Sequence, residues 1–494
     1  MTRVFSDFLK PLTKRDQIIL AVCTLLAGGI YLIASAFIYK IGFPLDDSWI
    51  HLTFARNLAD YGEWSFRPGV PTAGSTSPLW SALLALGFLI NLEPYIWTYF
   101  LGLFTMFVLS IVSEVTARRL VSTYAPNIPW VGLFIIFEWH LLWAAMSGME
   151  TLLHGLITTV ILSALMMNSR RYLTLGLLAG LSVWVRPDGL TLLGPLVLAV
   201  LFLETNTPSR LRGLLRVIIG FGAVFLFYLL FNLLIGGTPM PNTFYAKQAE
   251  YAAWQGFPLS RRFGEMSLQL LVGPSFLLLP GVVLWVARSF RQRSWGSLLA
   301  LTWSVGYMVL YVLRLPMYQH GRYIMPAMPI FFLIGMLAVM EFASSKTFGR
   351  YQWFASTLWK ISLGTVSLLF IVLGARAYAQ DVALIEQEMV ESAQWAAANI
   401  PPGVLIAAHD IGALGYFDTH PLLDLAGLVS PEVVPFIRDE VSLAVYLNER
   451  NAEYLIAFSD LYPEMTVGKE AVFTTNGAIA TEADYPRMTI YRWK

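Results

Sequence analysis

Charge is what this chain has least of. Only 13% of its 494 residues are Asp, Glu, Lys or Arg, and 56% are hydrophobic. A soluble domain carries about 25% charged residues, so a water-soluble fold is excluded and a polytopic α-helical protein of the lipid bilayer is expected. Cysteine is nearly absent. Cys23 stands alone inside the first apolar run, so no intramolecular disulfide can form and the redox compartment is not readable. Histidine is sparse too, at positions 51, 140, 154, 320, 409 and 420, without the short-range spacing that builds a metal site. No metal centre is expected from the histidines. No internal repeat or low-complexity tract is evident, and the net charge of +1 is uninformative as a sum. A nucleic-acid partner is not expected. A cleavable leader is not expected either: the run Ile18 to Tyr39 is too long for a signal h-region and lacks a small-residue cleavage pattern.

Long apolar runs are what the chain has most of. They fall at 17–40, 95–116, 128–147, 150–169, 172–186, 189–204, 214–235, 266–287, 296–314, 324–342 and 359–378. A span needs about 20 apolar residues, so about eleven transmembrane helices are expected. The run Leu79 to Ile90 is short for a crossing and reads as a helix lying in the interface. With that segment outside, the basic residues fall on alternate connections. They are Lys10, Lys14 and Arg15; Arg118 and Arg119; Arg170 and Arg171; Arg210, Arg212 and Arg216; Arg288, Arg291 and Arg293; and Lys346, Arg350 and Lys360. The positive-inside rule makes that side cytoplasmic. A multi-pass plasma-membrane protein with a cytoplasmic N-terminus follows.

The other connections carry the distinctive polar residues. They hold Asp46 and Asp47, SGMET (147–151), RPDG (186–189), GGTPMPNTFYAK (236–247) and YQHGRY (318–323). A functional surface at the outer interface is expected. Beyond residue 380 the composition changes. An amphipathic helix pattern (382–399) precedes strand-like segments at 404–410, 420–428 and 453–459, with a helical stretch near 431–449. Strands alternating with helices predict a small extracytoplasmic α/β domain. The expected division is a transmembrane domain, 1–380, with a first outer loop at 42–94, and a C-terminal domain, 381–494.

The first outer loop, PLDDSWIHLTFARNLADYGEWSFRPGVPTAGSTSPLW (44–80), is the focus. Asp46 and Asp47 sit where an acid must be solvated or paired. One reading is a cap for the helix that follows. The other is a general base that takes a proton from an attacking hydroxyl, with its neighbour raising its pKa or binding a divalent cation. Arg56 reads either as a surface ion pair or as a cation for a phosphate or carboxylate. His51 reads as a loop polar residue.

This loop resembles the first extracytoplasmic loop of GT-C fold glycosyltransferases: an acidic pair, an Arg-Asn helix, a Gly-Pro turn and a TSPLW helix start. SGMET, VRPDG, PNTFYAK, HGRYIMPAMP and HDIGALGYF with LLDLAGL resemble further blocks of the branch that includes arabinofuranosyl- and mannosyltransferase-like membrane proteins. The resemblance implies a GT-C fold and a polyprenyl-phosphate-linked hexose or pentose as donor. It implies a glycan, lipid or protein hydroxyl as acceptor, and inverting transfer outside the cytoplasm. Asp47 or Asp46 would be the base, with Asp47 slightly favoured. Lys247, Arg322, His320 and Arg186 are then candidates for the departing phosphate, although Arg186 and Asp188 could simply pair. Glu150 is either a substrate contact or a helix-start acid. Tyr245 and Trp49 could stack on sugar or prenyl groups, or belong to an interfacial aromatic belt. His409 and Asp410, and Asp424 beyond them, end predicted strands and read as acceptor-cleft or structural residues. Two other classes compete. A secondary transporter would work through Glu138 and His140 inside the third run, and a non-catalytic scaffold would only display the C-terminal domain.

Overall fold

The computed structural model describes residues 10–124, 126–344, 349–478 and 486–494. Lys346, one of the basic residues above, lies outside the described residues. Each of the eleven apolar runs is occupied by helix. The first is α1 (Lys14–Ile38), started by a reciprocal cap in which Thr13 and Asp16 bond each other's backbone. The first loop follows, with α2 (Asp47–Tyr61), a short hairpin of β1 (Ser65–Arg67) and β2 (Val70–Pro71), and α3 (Pro78–Leu89). Next come α4 (Pro94–Leu120), α5 (Trp130–Phe137), α6 (Trp139–Met146), α7 (Thr151–Met166), α8 (Tyr172–Val185), α9 (Leu193–Leu203) and α10 (Thr207–Gly236). Then follow α11 (Asn242–Glu250), α12 (Leu259–Leu271), α13 (Leu279–Arg291), α14 (Trp295–Arg314), α15 (Met328–Ser344) and α16 (Gly349–Ile385).

Among the described residues, six helices are long and apolar enough to cross a membrane, or seven if one bent pair is a single span. This is fewer than the eleven expected, and the reasons are local. The run at 266–287 is bent by 89° between Leu259–Leu271 and Pro274–Arg291, where Pro274 follows Gly273 at a φ of 98°. The third run is interrupted at Glu138, whose carboxylate caps α6 through Leu141 N–H at 3.1 Å and holds His140 Nδ1 at 2.8 Å. The helices α7, α8 and the 187–203 segment are apolar but short. They pack closely instead: at Gly220 on α10 an added Cβ would lie 2.4 Å from the Leu173 carbonyl of α8, the close approach that small residues permit. Large apolar side chains such as Phe37, Leu234 and Val372 face outward from the long helices, as a lipid-facing surface requires. Helix α3 has 12 residues, about 18 Å at 1.5 Å per residue, against a hydrocarbon core of about 30 Å.

The last long helix does not stop at residue 380. It runs through a π turn (Glu386–Val390) into α17 (Glu391–Asn399). Beyond it lie β3 (Ile406–Ala408), α18 (Gly412–Phe417), β4 (Leu422–Asp424), α19 (Glu440–Glu449), β5 (Tyr454–Phe458), α20 (Pro463–Thr466), β6 (Glu470–Thr474) and β7 (Met488–Arg492). The strands form one sheet in the order β4-β3-β5-β7-β6. Strands β4, β3 and β5 are parallel, while β7 runs antiparallel to β5 and β6. Strands β6 and β7 and helix α18 were not expected from the sequence.

The first loop meets SGMET, PNTFYAK, the 318–323 loop and the start of α18, and reaches RPDG through Glu150. Other connections hold ion pairs of their own: Arg118 bonds Asp16 at 3.0 Å, Arg170 lies 3.6 Å from Glu204, and Arg288 pairs with Glu341.

Candidate active site

The first loop is fixed before it reaches its acids. Tyr99 and Tyr378 both donate to the Gly42 carbonyl, at 2.6 and 3.0 Å. Phe43 is buried against Trp49, Tyr95 and Tyr99. Asp46 and Asp47 then point to different partners.

Asp47 faces cations. Its Oδ2 accepts Arg322 at 2.9 Å and lies 4.0 Å from Lys247 Nζ. Arg322 is delivered by a tight turn in which His320 and Gly321 take left-handed φ values of 57° and 75°. Its guanidinium stands over Tyr323 and Tyr318. Lys247 rides on α11, which is tied to the first loop by Asn242 N–H donating to Ala73 O at 3.0 Å and by a Thr76–Thr243 hydroxyl bond. Burial pushes the Asp47 carboxyl up, but Arg322 and Lys247 outweigh it and hold it below the ordinary range.

Asp46 faces backbone. Gly412 and Ala413 donate their N–H groups to its two oxygens, at 2.7 and 2.8 Å. It precedes α2 but makes no side-chain cap there, so the capping reading gives way to a bond with a distant helix. Burial pushes its carboxyl up to about 6, against the pull of those two amides. Both Asp46 oxygens are engaged by amide donors, Asp47 already faces two positive charges, and no cluster of three His, Cys, Asp or Glu side chains suited to a metal exists among the described residues.

A buried polar chain leads away from Asp47. Glu150 accepts from Arg186 at 2.9 Å and pairs with His51 Nε2 at 3.2 Å. Arg186 also donates to Asp188 at 2.9 Å and to Tyr311 at 3.2 Å. His51 continues to Ser81, 3.1 Å away, so it is a buried link on α2 rather than a loop residue.

Two cavities meet at Asp47, Lys247 and Arg322. The larger, about 290 Å³, is lined by the apolar side chains of Met149, Leu190, Met240, Phe244, Leu310 and Leu315, with Glu150, Arg186 and Asp188 on its wall. The smaller, about 140 Å³, is more polar and includes Asp46, Glu250, Tyr251, Tyr318, His409 and Asp410. Burial, with Asp46 and Asp47 nearby, pushes Asp410 up to about 8. Burial and Arg438 push His409 down to about 3. His409 bonds Tyr462 at 2.8 Å. Asp424 instead accepts the amides of Ala426 and Val429 and shapes its own turn.

Four candidates lie elsewhere. His320 lines neither cavity: the left-handed turn that aims Arg322 at Asp47 sends His320 against Trp139 and Trp143, where it bonds Asp381 at 2.8 Å. Arg56 stacks on Tyr416 and donates to the Gly415 and Tyr416 carbonyls. Tyr245 lines neither cavity and packs edge-on to Phe244. Trp49 is buried against Tyr416 and Phe417, a packing role. Sequence reading missed Glu250, Tyr311 and Tyr323. Glu250 stands three residues beyond Lys247 on one helix, a spacing that puts both on one face. Tyr311 sits one helical turn after Tyr307, and both hydroxyls reach Asp188.

A family model described as a domain of unknown function, DUF8728, matches residues 378–492. No curated protein sequence matches the chain. Solved structures share its fold. ArnT from Cupriavidus metallidurans bound to undecaprenyl phosphate aligns with a TM-score of 0.59 at 14% identity, covering 97% of this chain and 98% of that one. The Archaeoglobus fulgidus oligosaccharyltransferase in its apo form aligns with a TM-score of 0.62 at 10% identity, covering 91% and 70%. A mutant of the arabinofuranosyltransferase AftD from Mycobacteria aligns with a TM-score of 0.50 at 15% identity, covering 98% and 42%. All three are GT-C glycosyltransferases, and the fold of this chain is theirs.

Proposed function

We propose that this protein is an inverting membrane glycosyltransferase. It moves one hexose or pentose from a polyprenyl-phosphate donor to a hydroxyl acceptor at the extracytoplasmic face. The observation that carries this reading is Asp47, which stands where two cavities meet with Arg322 and Lys247 against it. The apolar cavity suits a prenyl phosphate and the polar cavity an acceptor hydroxyl. The undecaprenyl phosphate in the ArnT structure supports the same assignment.

In the reaction, the acceptor oxygen bonds to the anomeric carbon from the face opposite the phosphate. The bond from that carbon to the phosphate oxygen breaks, and its electron pair leaves on the phosphate. The acceptor proton passes to Asp47. Arg322 and Lys247, neutralised by Asp47 in the free protein, take the charge that develops on the leaving phosphate. The Glu150–Arg186–Asp188 chain braces the wall of the donor cavity. The topology that goes with this chemistry has eleven crossings, short and broken ones included. It has a cytoplasmic N-terminus, and residues 381–494 form an extracytoplasmic α/β domain over the site.

The test is transfer by protein in lipid nanodiscs, given a polyprenyl-phosphate sugar and an acceptor extract. A general base is worth about 10²–10⁴-fold, so Asp47→Asn should lose transfer by that factor while still binding donor. Arg322→Ala and Lys247→Ala should raise the donor KM. Full transfer by Asp47→Asn would sink the base assignment. Absence of donor binding in the wild type would return the transporter and scaffold readings.

A further inference from the structure

The first loop grips one short helix of the C-terminal region from both ends. At the start of α18, Asp46 accepts the Gly412 and Ala413 amides at 2.7 and 2.8 Å. At its end, Arg56 donates to the Tyr416 and Gly415 carbonyls at 2.7 and 3.2 Å. Arg67 donates to the Asp418 carbonyl and, at 3.4 Å, to that of Leu414. A carboxylate at the amide end and guanidinium groups at the carbonyl end match the peptide dipoles. The fit between the ends has no slack. A Cβ at Gly412 would lie 2.0 Å from the Asp46 carbonyl oxygen, and one at Gly415 would lie 2.0 Å from the Phe66 ring. Tyr416 and Phe417 pack on Trp49, with ring centroids 4.8 and 4.7 Å away. The residue after Asp46 is Asp47.

We infer that α18 is a positioning element for Asp47, and that Asp46 is a positioning residue rather than the base. Through its two amide bonds, Asp46 pins the first loop to the region matched by the family of unknown function. That region thereby completes the active site. This rests on the proposed role of Asp47. The two acids divide the work because their partners differ: Asp46 spends both oxygens on backbone donors, whereas Asp47 meets side-chain cations beside both cavities. A misplacement of about 1 Å can cost about 10²-fold in rate, so a loose loop would be felt in kcat. Donor affinity would be spared, because Arg322 comes from the 318–323 turn and Lys247 from α11 rather than from the gripped loop.

The experiment uses the full chain in nanodiscs and reads kinetics together with hydrogen–deuterium exchange. Gly412→Ala should lower kcat by about 10²-fold with donor KM held within about twofold. Arg56→Gln, which touches neither cavity, should lower kcat less and in the same pattern. Asp46→Asn, which keeps one acceptor oxygen, should retain more turnover than Asp46→Ala. In Asp46→Ala and Gly412→Ala, amide protection should fall both at 410–415 and along 44–61. Unchanged kcat in both Gly412→Ala and Arg56→Gln overturns the inference. So does protection along 44–61 that ignores Gly412→Ala, and so does an Asp46→Asn protein as inactive as Asp47→Asn. A wild type without transfer fails the glycosyltransferase reading instead, and the exchange data still decide whether the grip exists.

Discussion

Two adjacent aspartates with opposite pKa directions make the residue scale testable. The acid limb of kcat/KM reports the free enzyme. Cations hold Asp47 below the ordinary 3.8, so proton loss from the base should not limit the rate above that pH. Asp46 titrates near 6. The wild type should therefore show a partial acid limb near pH 6, falling to the level of Asp46→Asn. The profile of Asp46→Asn should stay flat down to about pH 4. A flat wild type, or an Asp46→Asn profile that keeps the limb, would contradict this. Asp410 offers a second measurement. Its carboxyl is raised in the folded protein from 3.8 to about 8, so between those values the folded state holds a proton that the unfolded state has lost. Stability should then fall as pH rises through that window and level off above it. Asp410→Asn should remove this slope, as read by thermal unfolding across pH.

At the scale of elements, the decisive object is α3. Its 12 residues cover about 18 Å, short of a hydrocarbon core of about 30 Å, and whether it crosses fixes the side of every loop beyond it. A topology reporter fused after residue 92 should read extracytoplasmic, and a cytoplasmic signal would invert every loop beyond it. Local pattern was enough to find this element because length and hydropathy are properties of the run itself. It was not enough for α18, whose six residues are too few to show a period. Nor did it find β6, which buries none of its five residues, or β7, in which Met488 to Tyr491 are buried together, so that no clean alternation survives in either.

At the scale of the whole molecule, the alternation of basic and polar connections matters most. The polar connections converge on the candidate site, while the basic ones fall on the alternate loops of the sequence. A reporter at the C-terminus should therefore read extracytoplasmic and one at the N-terminus cytoplasmic. Because the last span runs unbroken from Gly349 to Asn399, the C-terminal sheet is coupled to the membrane part by a continuous helix as well as by the grip on α18.

The sequence by itself determined the membrane character, the apolar runs, the short helix at 78–89 and the loops that bear polar residues. Each of these is a local property of composition, length or charge. It also singled out Asp47, Lys247, Arg322, Arg186 and Glu150, since acids and cations at the end of an apolar run stand out wherever they fold. Only the tertiary structure decided what those residues meet. His320 faces Asp381 across 61 positions, and Asp46 meets amides more than 360 positions away. A hydrophobic pattern reports that a side chain is buried, not which distant group it is buried against. Two neighbouring aspartates that look alike in the chain are therefore told apart only by the helix and the cations the fold brings to them.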